Sequence, residues 1–233
     1  MDKYCVIVPC YNEEDSISTT IREIRFHNPN IDIVAINDAS HDKSLKLLIN
    51  EGIKTIDLAN NLGIGGCVQT GYQYAFKQGY EAAIQIDGDG QHPAQSIGIL
   101  IKKYEQEPCS IVIGSRNLGI QSNSTTGLRK FGTFIINSWI NLLYPNIRIT
   151  DSTSGFRLIG KGALELFSTD YSSDFPEPIS VAVAAKNSLL IQEVAVEMSP
   201  RKTGKSSIAG MGNLMYMIRV LSFVSLVKLR KRR

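Results

Sequence analysis

Ala82-Ala83-Ile84-Gln85-Ile86-Asp87-Gly88-Asp89-Gly90-Gln91-His92-Pro93 is a short apolar run that ends abruptly in an acidic turn. The apolar part has the length and character of a buried strand. Two carboxylates separated by one glycine at its end can point at a common ion, and magnesium or manganese suits such oxygen ligands. The glycine between them is expected to let a bulky diphosphate approach the backbone. A metal held there would neutralise charge growing on a diphosphate leaving group, the Lewis-acid use of a metal. Alone, the triplet is also the composition of an ordinary solvated turn, so its neighbours decide.

Working outward, similar runs occur at Tyr4–Val8, Ile31–Ile36, Lys54–Leu58 and Ser110–Gly114, separated by segments of helical spacing. Ile17, Ile21 and Ile24 follow the cap residues Asp15 and Ser16, and Leu45, Leu48 and Ile49 follow Asp42. Continuous apolar strands between amphipathic helices predict a doubly wound α/β sheet, mainly parallel and covered on both faces. Such sheets bind ligands at the carboxyl ends of their strands. Three polar clusters should therefore meet on one edge: Pro9-Cys10-Tyr11-Asn12-Glu13, Asn37-Asp38-Ala39-Ser40 and Asp87 to His92. No repeat or low-complexity linker divides the chain, and the second half reads as an extension of the same domain.

The chain has 233 residues, 43% of them hydrophobic and 20% charged, enough for one substantial core. Its net charge of +3 is concentrated at the end, where Lys228, Arg230, Lys231, Arg232 and Arg233 crowd together. The body is weakly acidic, which excludes a broad nucleic-acid surface and leaves one local electrostatic contact. Cys5, Cys10, Cys67 and Cys109 show no Cys-x-x-Cys spacing and no scaffold density, so disulfides and a metal knuckle are not expected and a reduced cytosolic setting is. The first residues turn acidic too soon for a signal peptide.

Seven motifs in order, VPCYNEE (7–14), NDAS (37–40), NLGIGG (61–66), DGDGQHP (87–93), IGSR (113–116), DSTSGFR (151–157) and RKTGKSS (201–207), carry a family resemblance. Over about residues 4–207 the sequence resembles family 2 of the inverting glycosyltransferases, in the branch of dolichyl-phosphate mannose synthases and undecaprenyl-phosphate sugar transferases. The resemblance implies a GT-A fold, a nucleotide-sugar donor, a divalent cation and a lipid-linked or glycan acceptor. It also suggests a GT-A domain over 1–207 and a basic amphipathic membrane-proximal segment over 208–233.

Carried over by position, Pro9, Tyr11 and Glu13 resemble the residues that frame the nucleoside, with Asp38 toward the base. A ring and two carboxylates suit a base and ribose rather than a phosphate cradle. Asp87, Asp89 and Gln91 resemble the metal and diphosphate site, Asp89 as direct ligand and Asp87 nearer the ribose. His92 is either an outer-shell group or a structural residue. The NLGIGG spacing does not fit a dinucleotide-binding loop, so Gly63, Gly65 and Gly66 are expected to serve packing. Arg116, Arg129, Arg201 and Lys205 are the basic candidates for phosphate, the last two on a loop able to close over the donor. Asp151 and Glu177 are the candidate bases for a hydroxyl acceptor, Glu177 aimed by its flanking prolines. An anionic lipid-phosphate acceptor would largely remove the need for one.

Residues 128–143 repeat Phe131, Phe134, Ile135, Trp139, Leu142 and Leu143 at mainly helical spacing, as either an interfacial helix or a core-covering one. The apolar tail Met211–Leu229, broken by Asn213 and Arg219, is expected to lie in a membrane interface, with its basic end near anionic lipid. Together these features describe a peripheral protein of the cytosolic membrane face. Two other classes remain open: a nucleotidyltransferase making an activated sugar, and a non-catalytic nucleotide- or glycan-binding module.

Overall fold

The computed structural model describes residues 3–107, 109–119, 127–198 and 212–230. Strands β1 (Tyr4–Cys10), β2 (Asp32–Asn37), β3 (Lys54–Asp57) and β4 (Ala82–Gln85) alternate with helices α1 (Ile17–His27), α2 (Ser44–Asn50) and α3 (Gly63–Gln78). A 3-10 turn (Ala94–Ser96) then leads through α4 (Ile97–Gln106), β5 (Ile111–Ser115), α5 (Gly127–Leu143), β6 (Arg157–Gly160), α6 (Lys161–Thr169), α7 (Pro176–Lys186), β7 (Ile191–Ala195) and α8 (Gly212–Leu229).

Among the described residues the strands form one seven-stranded sheet in the order β3-β2-β1-β4-β6-β5-β7. The predicted parallel arrangement holds for β1 with β2 and β4, for β2 with β3, and for β5 with β7. It fails at β6, which runs antiparallel between β4 and β5. This strand has only four residues, begins with an arginine and ends with a glycine, so its apolar signal is too weak to read in advance.

Alternation along β1 divides the core between the two sheet faces. Cys5 and Ile7 face a cluster with Val68, Tyr72, Ile140, Phe167, Val181 and Val224. Val6 and Val8 face Ile17, Ile21, Ile24, Ile97 and Leu100. Both faces are covered by buried side chains, which is why the strands read as unbroken apolar runs. The cysteines are free thiols, and burial pushes Cys10 up to about 12, so its thiol stays protonated.

The two apolar helices differ from their expectation in one respect. On α5, Ile136 and Ile140 are buried while Phe131, Phe134 and Leu142 are exposed. On α8, Val220, Val224 and Val227 join the core, yet Met215, Ile218, Phe223, Leu226 and Leu229 are also exposed. The expected amphipathic C-terminal helix is therefore apolar on its outer side as well, with polar residues too few to form a stripe. It is pinned to α5 by Trp139 Nε1 donating to Ser225 Oγ at 3.0 Å and Lys228 Nζ donating to Leu143 O at 2.7 Å. The boundary expected at 207/208 lies outside the described residues.

Candidate active site

Parallel pairing brings the ends of β1, β2 and β4 to one sheet edge, where backbone bonds lace them together. Asp38 N donates to Cys10 O at 2.9 Å and Gly88 N donates to Pro9 O at 3.2 Å. The three polar clusters meet there. Asn12 N donates to Ser40 Oγ at 3.0 Å, and His41 N donates to Asn12 Oδ1 at 2.9 Å, joining the first cluster to the second. Tyr11 is exposed beside His41, its ring centroid 6.5 Å away. Glu13 receives a 3.0 Å bond from Ser16 Oγ on its carboxylate, and its own amide donates to Ser44 Oγ at 2.8 Å.

Asp38 is 2% exposed. Its Oδ1 accepts the Leu62 amide at 2.7 Å and its carbonyl accepts Asn61 Nδ2 at 3.2 Å. The carboxylate thus anchors the start of α3, where unpaired amides favour an anion. Gly65, in the first turn of that helix, has no room for a side chain: a Cβ would lie 2.2 Å from Ser172 O. The packing role expected for this glycine is met at that contact.

Asp87 is braced on two sides. Gln85 Nε2 donates to its Oδ1 at 3.1 Å, and His92 Nε2 lies 3.6 Å from its Oδ2. His92 Nδ1 accepts the Asp87 backbone N–H at 3.0 Å, so the neutral ring carries its proton on Nε2, facing the carboxylate. His92 is the clasp of the turn, largely buried, stacked near Phe156 at 5.5 Å. Asp89 Oδ1 accepts the Gln91 amide at 3.0 Å, and Gly90 follows with φ +72°, a left-handed conformation suited to glycine.

Gly88 is close-packed within the chain. A Cβ there would lie 3.1 Å from Pro9 O and 3.2 Å from Ile17 Cδ1. Its missing side chain serves packing against β1 and α1. Ser16 and Thr20 complete that contact by donating to Gly88 O at 2.8 and 3.2 Å. Ser16 is the predicted N-terminal residue of α1, but its hydroxyl holds the acidic turn instead of capping its own helix.

The segment between α5 and β6 meets the end of β5. Arg116 grips Asp151 with two prongs, Nε to Oδ2 at 2.8 Å and Nη2 to Oδ1 at 2.7 Å, and its amide adds a 3.0 Å bond to Oδ2. Burial opposes the guanidinium charge, but the Asp151 pair outweighs it and holds the Arg116 pKa above its ordinary value. Glu193 supports the pair from β7, accepting the Thr150 and Asp151 amides at 2.9 Å each. Asp151, expected as a candidate base, is wholly buried with both oxygens committed to Arg116. That pairing is at odds with a role as base, because a proton taken there would break a buried ion pair.

Glu177 has a different setting. Phe175, with φ 48°, turns the chain into α7, Pro176 occupies the first turn, and Glu177 follows. Burial pushes the Glu177 carboxyl up, Arg157 opposes the shift and Asp87 adds to it. Arg157, paired in register with Gln85, donates to the Glu177 carbonyl at 3.4 Å and so ties the start of α7 to the end of β4. Arg157 is fully buried and bonds to Ser154 O at 3.0 Å and Ser180 Oγ at 2.8 Å. Gly155 closes the arrangement, since a Cβ there would lie 3.1 Å from Asp87 Oδ2. Arg201 and Lys205, and the side chain of Arg129, lie outside the described residues.

Gln85, Tyr72, Arg157 and Glu193 were not singled out from sequence. Gln85 carried a signal: a polar residue inside an apolar strand, two before Asp87 and hence on the same strand face. Arg157 sat in plain view at the end of DSTSGFR, a charge entering a strand.

This sheet, with an acidic turn at its carboxyl edge, has solved counterparts. Glucosyl-3-phosphoglycerate synthase from Mycobacterium tuberculosis, crystallised with Mn2+, uridine diphosphate and glucosyl-3-phosphoglycerate, superimposes with a TM-score of 0.74 at 15% identity, covering 98% of this chain and 81% of that one. The architecture is that of the GT-A glycosyltransferases. Residues 5–167 match Glycosyl transferase family 2, and the chain belongs to that family. It is 28% identical over 211 residues to the UDP-N-acetylglucosamine–dolichyl-phosphate N-acetylglucosaminyltransferase of Methanococcus voltae, covering 82% of this chain and 84% of the relative. It is 25% identical over 218 residues to the undecaprenyl-phosphate mannosyltransferase of Micrococcus luteus, covering 88% and 86%. Of the three classes left open by the sequence, the glycosyltransferase is the one that stands.

Proposed function

We propose that the chain transfers a sugar, with inversion, from a nucleoside-diphosphate donor to a polyprenyl-phosphate acceptor at a membrane surface. The observation that carries this reading is the braced Asp87, whose turn is joined by backbone bonds to the Tyr11 and Asp38 segments. Tyr11, Glu13 and Asp38, next to Pro9, receive the nucleoside, and Asp87 and Asp89 with Gln91 receive the diphosphate end.

The donor set fits magnesium or manganese. Among the described residues no cluster of three or more His, Cys, Asp or Glu side chains exists to hold an ion alone. Two carboxylates in one turn match the usual binding of these ions, completed by phosphate oxygens and water. When bound, such an ion neutralises the leaving diphosphate. In the transfer itself the bond from the sugar anomeric carbon to the donor phosphate oxygen breaks, its electron pair leaving with the diphosphate. An acceptor oxygen forms the new bond from the opposite face. A phosphate oxygen needs no base; a hydroxyl proton would go to Glu177, whose raised pKa suits that task. Asp151 holds Arg116 in place on the acceptor side. Arg129, Arg201 and Lys205 complete the phosphate-binding charge.

Named relatives act on dolichyl and undecaprenyl phosphates, and both α5 and α8 carry exposed apolar residues. No helix among the described residues is long and apolar enough to cross a membrane. Interfacial seating at the cytosolic face fits these features. The test incubates the protein with uridine, guanosine and thymidine diphosphate sugars and a short-chain polyprenyl phosphate in detergent. Formation of a sugar-lipid with release of the nucleoside diphosphate is expected; donor hydrolysis or transfer only to soluble glycans would contradict the lipid acceptor.

A further inference from the structure

Below the acidic turn lies a buried polar chain that the transfer chemistry does not use directly. Tyr72 on α3 donates from its hydroxyl to Gln85 Oε1 at 3.1 Å, and Gln85 Nε2 donates to Asp87 Oδ1 at 3.1 Å. Tyr72 and Gln85 are wholly buried. Gln85 lies at the end of an otherwise apolar strand, Ala82-Ala83-Ile84-Gln85, where an aliphatic residue would avoid the cost of burying an amide.

We propose that Gln85 is a positioning residue that fixes the rotamer of Asp87 for the cation and donor diphosphate, and that Tyr72 fixes Gln85. The proposal rests on the donor-site reading above. An amide can present either its oxygen or its nitrogen, and only the nitrogen can donate to a carboxylate. The Asp87 carboxylate, which only accepts, turns the nitrogen toward itself, and the Tyr72 hydroxyl holds the amide there by donating to the oxygen end. Burial pushes the Tyr72 pKa up, so the hydroxyl remains a donor. Its ring cannot swing away, being packed 6.1 Å from Phe167 and 5.3 Å from Tyr171, centroid to centroid. On the outer side Gly155 leaves no slack: a Cβ there would lie 3.3 Å from Gln85 Nε2 and 3.1 Å from Asp87 Oδ2. Asp87 is thereby held between Gln85 and His92.

Outer-shell partners of metal-binding carboxylates are worth about 10–100-fold in metal affinity. The experiment titrates Mn2+ into the full chain with uridine, guanosine or thymidine diphosphate present, reading free Mn2+ by electron paramagnetic resonance, so no turnover is needed. Gln85→Met should weaken Mn2+ binding by about 10–100-fold, and Tyr72→Phe by a smaller factor. Because Tyr72 acts through Gln85, Tyr72→Phe should add nothing in the Gln85→Met background. Wild-type Mn2+ affinity in folded Gln85→Met, or an additive Tyr72→Phe effect, would overturn the proposal. If Gln85→Met does not fold, Tyr72→Phe decides alone, since it removes one oxygen from an intact ring; unchanged affinity then overturns it. Failure of the wild-type chain to bind Mn2+ with any diphosphate would sink the donor-site reading and this inference together, whereas equal binding by wild type and variants sinks only the inference.

Discussion

Arg116 and Asp151 form a two-pronged ion pair, Nε to Oδ2 at 2.8 Å and Nη2 to Oδ1 at 2.7 Å, with the carboxylate wholly buried. Removing one partner leaves the other's charge without compensation, at about 3–5 kcal/mol. Asp151→Asn is expected to lower the melting temperature by roughly 6–20 °C at this chain length. The paired replacement Arg116→Met with Asp151→Leu should recover most of that loss. Thermal unfolding of both variants checks it; a stable but inactive Asp151→Asn would restore Asp151 as a candidate base.

Glu177 makes a prediction in pH. Burial holds its proton more tightly in the folded chain than in the unfolded one, with Asp87 adding to the effect against Arg157. Between the ordinary carboxylate range and the raised value the folded state binds more protons, so stability falls as pH rises through that window. Glu177→Gln should flatten this fall and leave the protein at least as stable above it. Chemical denaturation across pH measures the slope. The same variant should lose about 10²–10⁴-fold in transfer to a hydroxyl acceptor and far less in transfer to a phosphate.

Gly65→Ala should be destabilising through crowding alone. The added carbon would lie 2.2 Å from the Ser172 carbonyl oxygen and 2.6 Å from Ser173 Cα, both backbone atoms unable to rotate aside. Overpacking of this kind costs about 1–3 kcal/mol, or roughly 2–12 °C in melting temperature. Gly162→Ala, where no atom lies within 4 Å, is the control and should melt near wild type.

Phe131 and Phe134 are exposed on α5. If this side meets lipid, replacing both by serine should weaken partitioning into anionic vesicles roughly thirtyfold, at ~1 kcal/mol per partly inserted ring. Vesicle sedimentation measures it, and unchanged partitioning would place the contact elsewhere.

Much of the architecture was legible because burial on both sheet faces leaves a continuous apolar signature, as in Tyr4–Cys10 and Asp32–Asn37. The edge on which Asp38 and Asp87 meet followed from parallel pairing alone. β6 and β7 were missed, the one short and opened by Arg157, the other mixed in character with Gln192 and Glu193 inside it. Site residues at strand ends were readable from local pattern, whereas the bracing groups were not. The Arg116–Asp151 pair spans 35 positions and the Tyr72–Gln85 bond joins a helix to a strand. Such partners are fixed by tertiary approach, which no local spacing encodes. For the same reason the close packing of Gly88 against Pro9 was not legible in advance.

The most direct test is nucleoside diphosphate release from the accepted donor, measured with Mn2+ or Mg2+, with chelator, and for Asp89→Asn. Release that requires the ion, stops with chelator and falls at least ~100-fold in a normally folded Asp89→Asn is the predicted result. Undiminished release with chelator, or wild-type turnover by Asp89→Asn, would contradict a metal-assisted transferase built on Asp87-Gly88-Asp89.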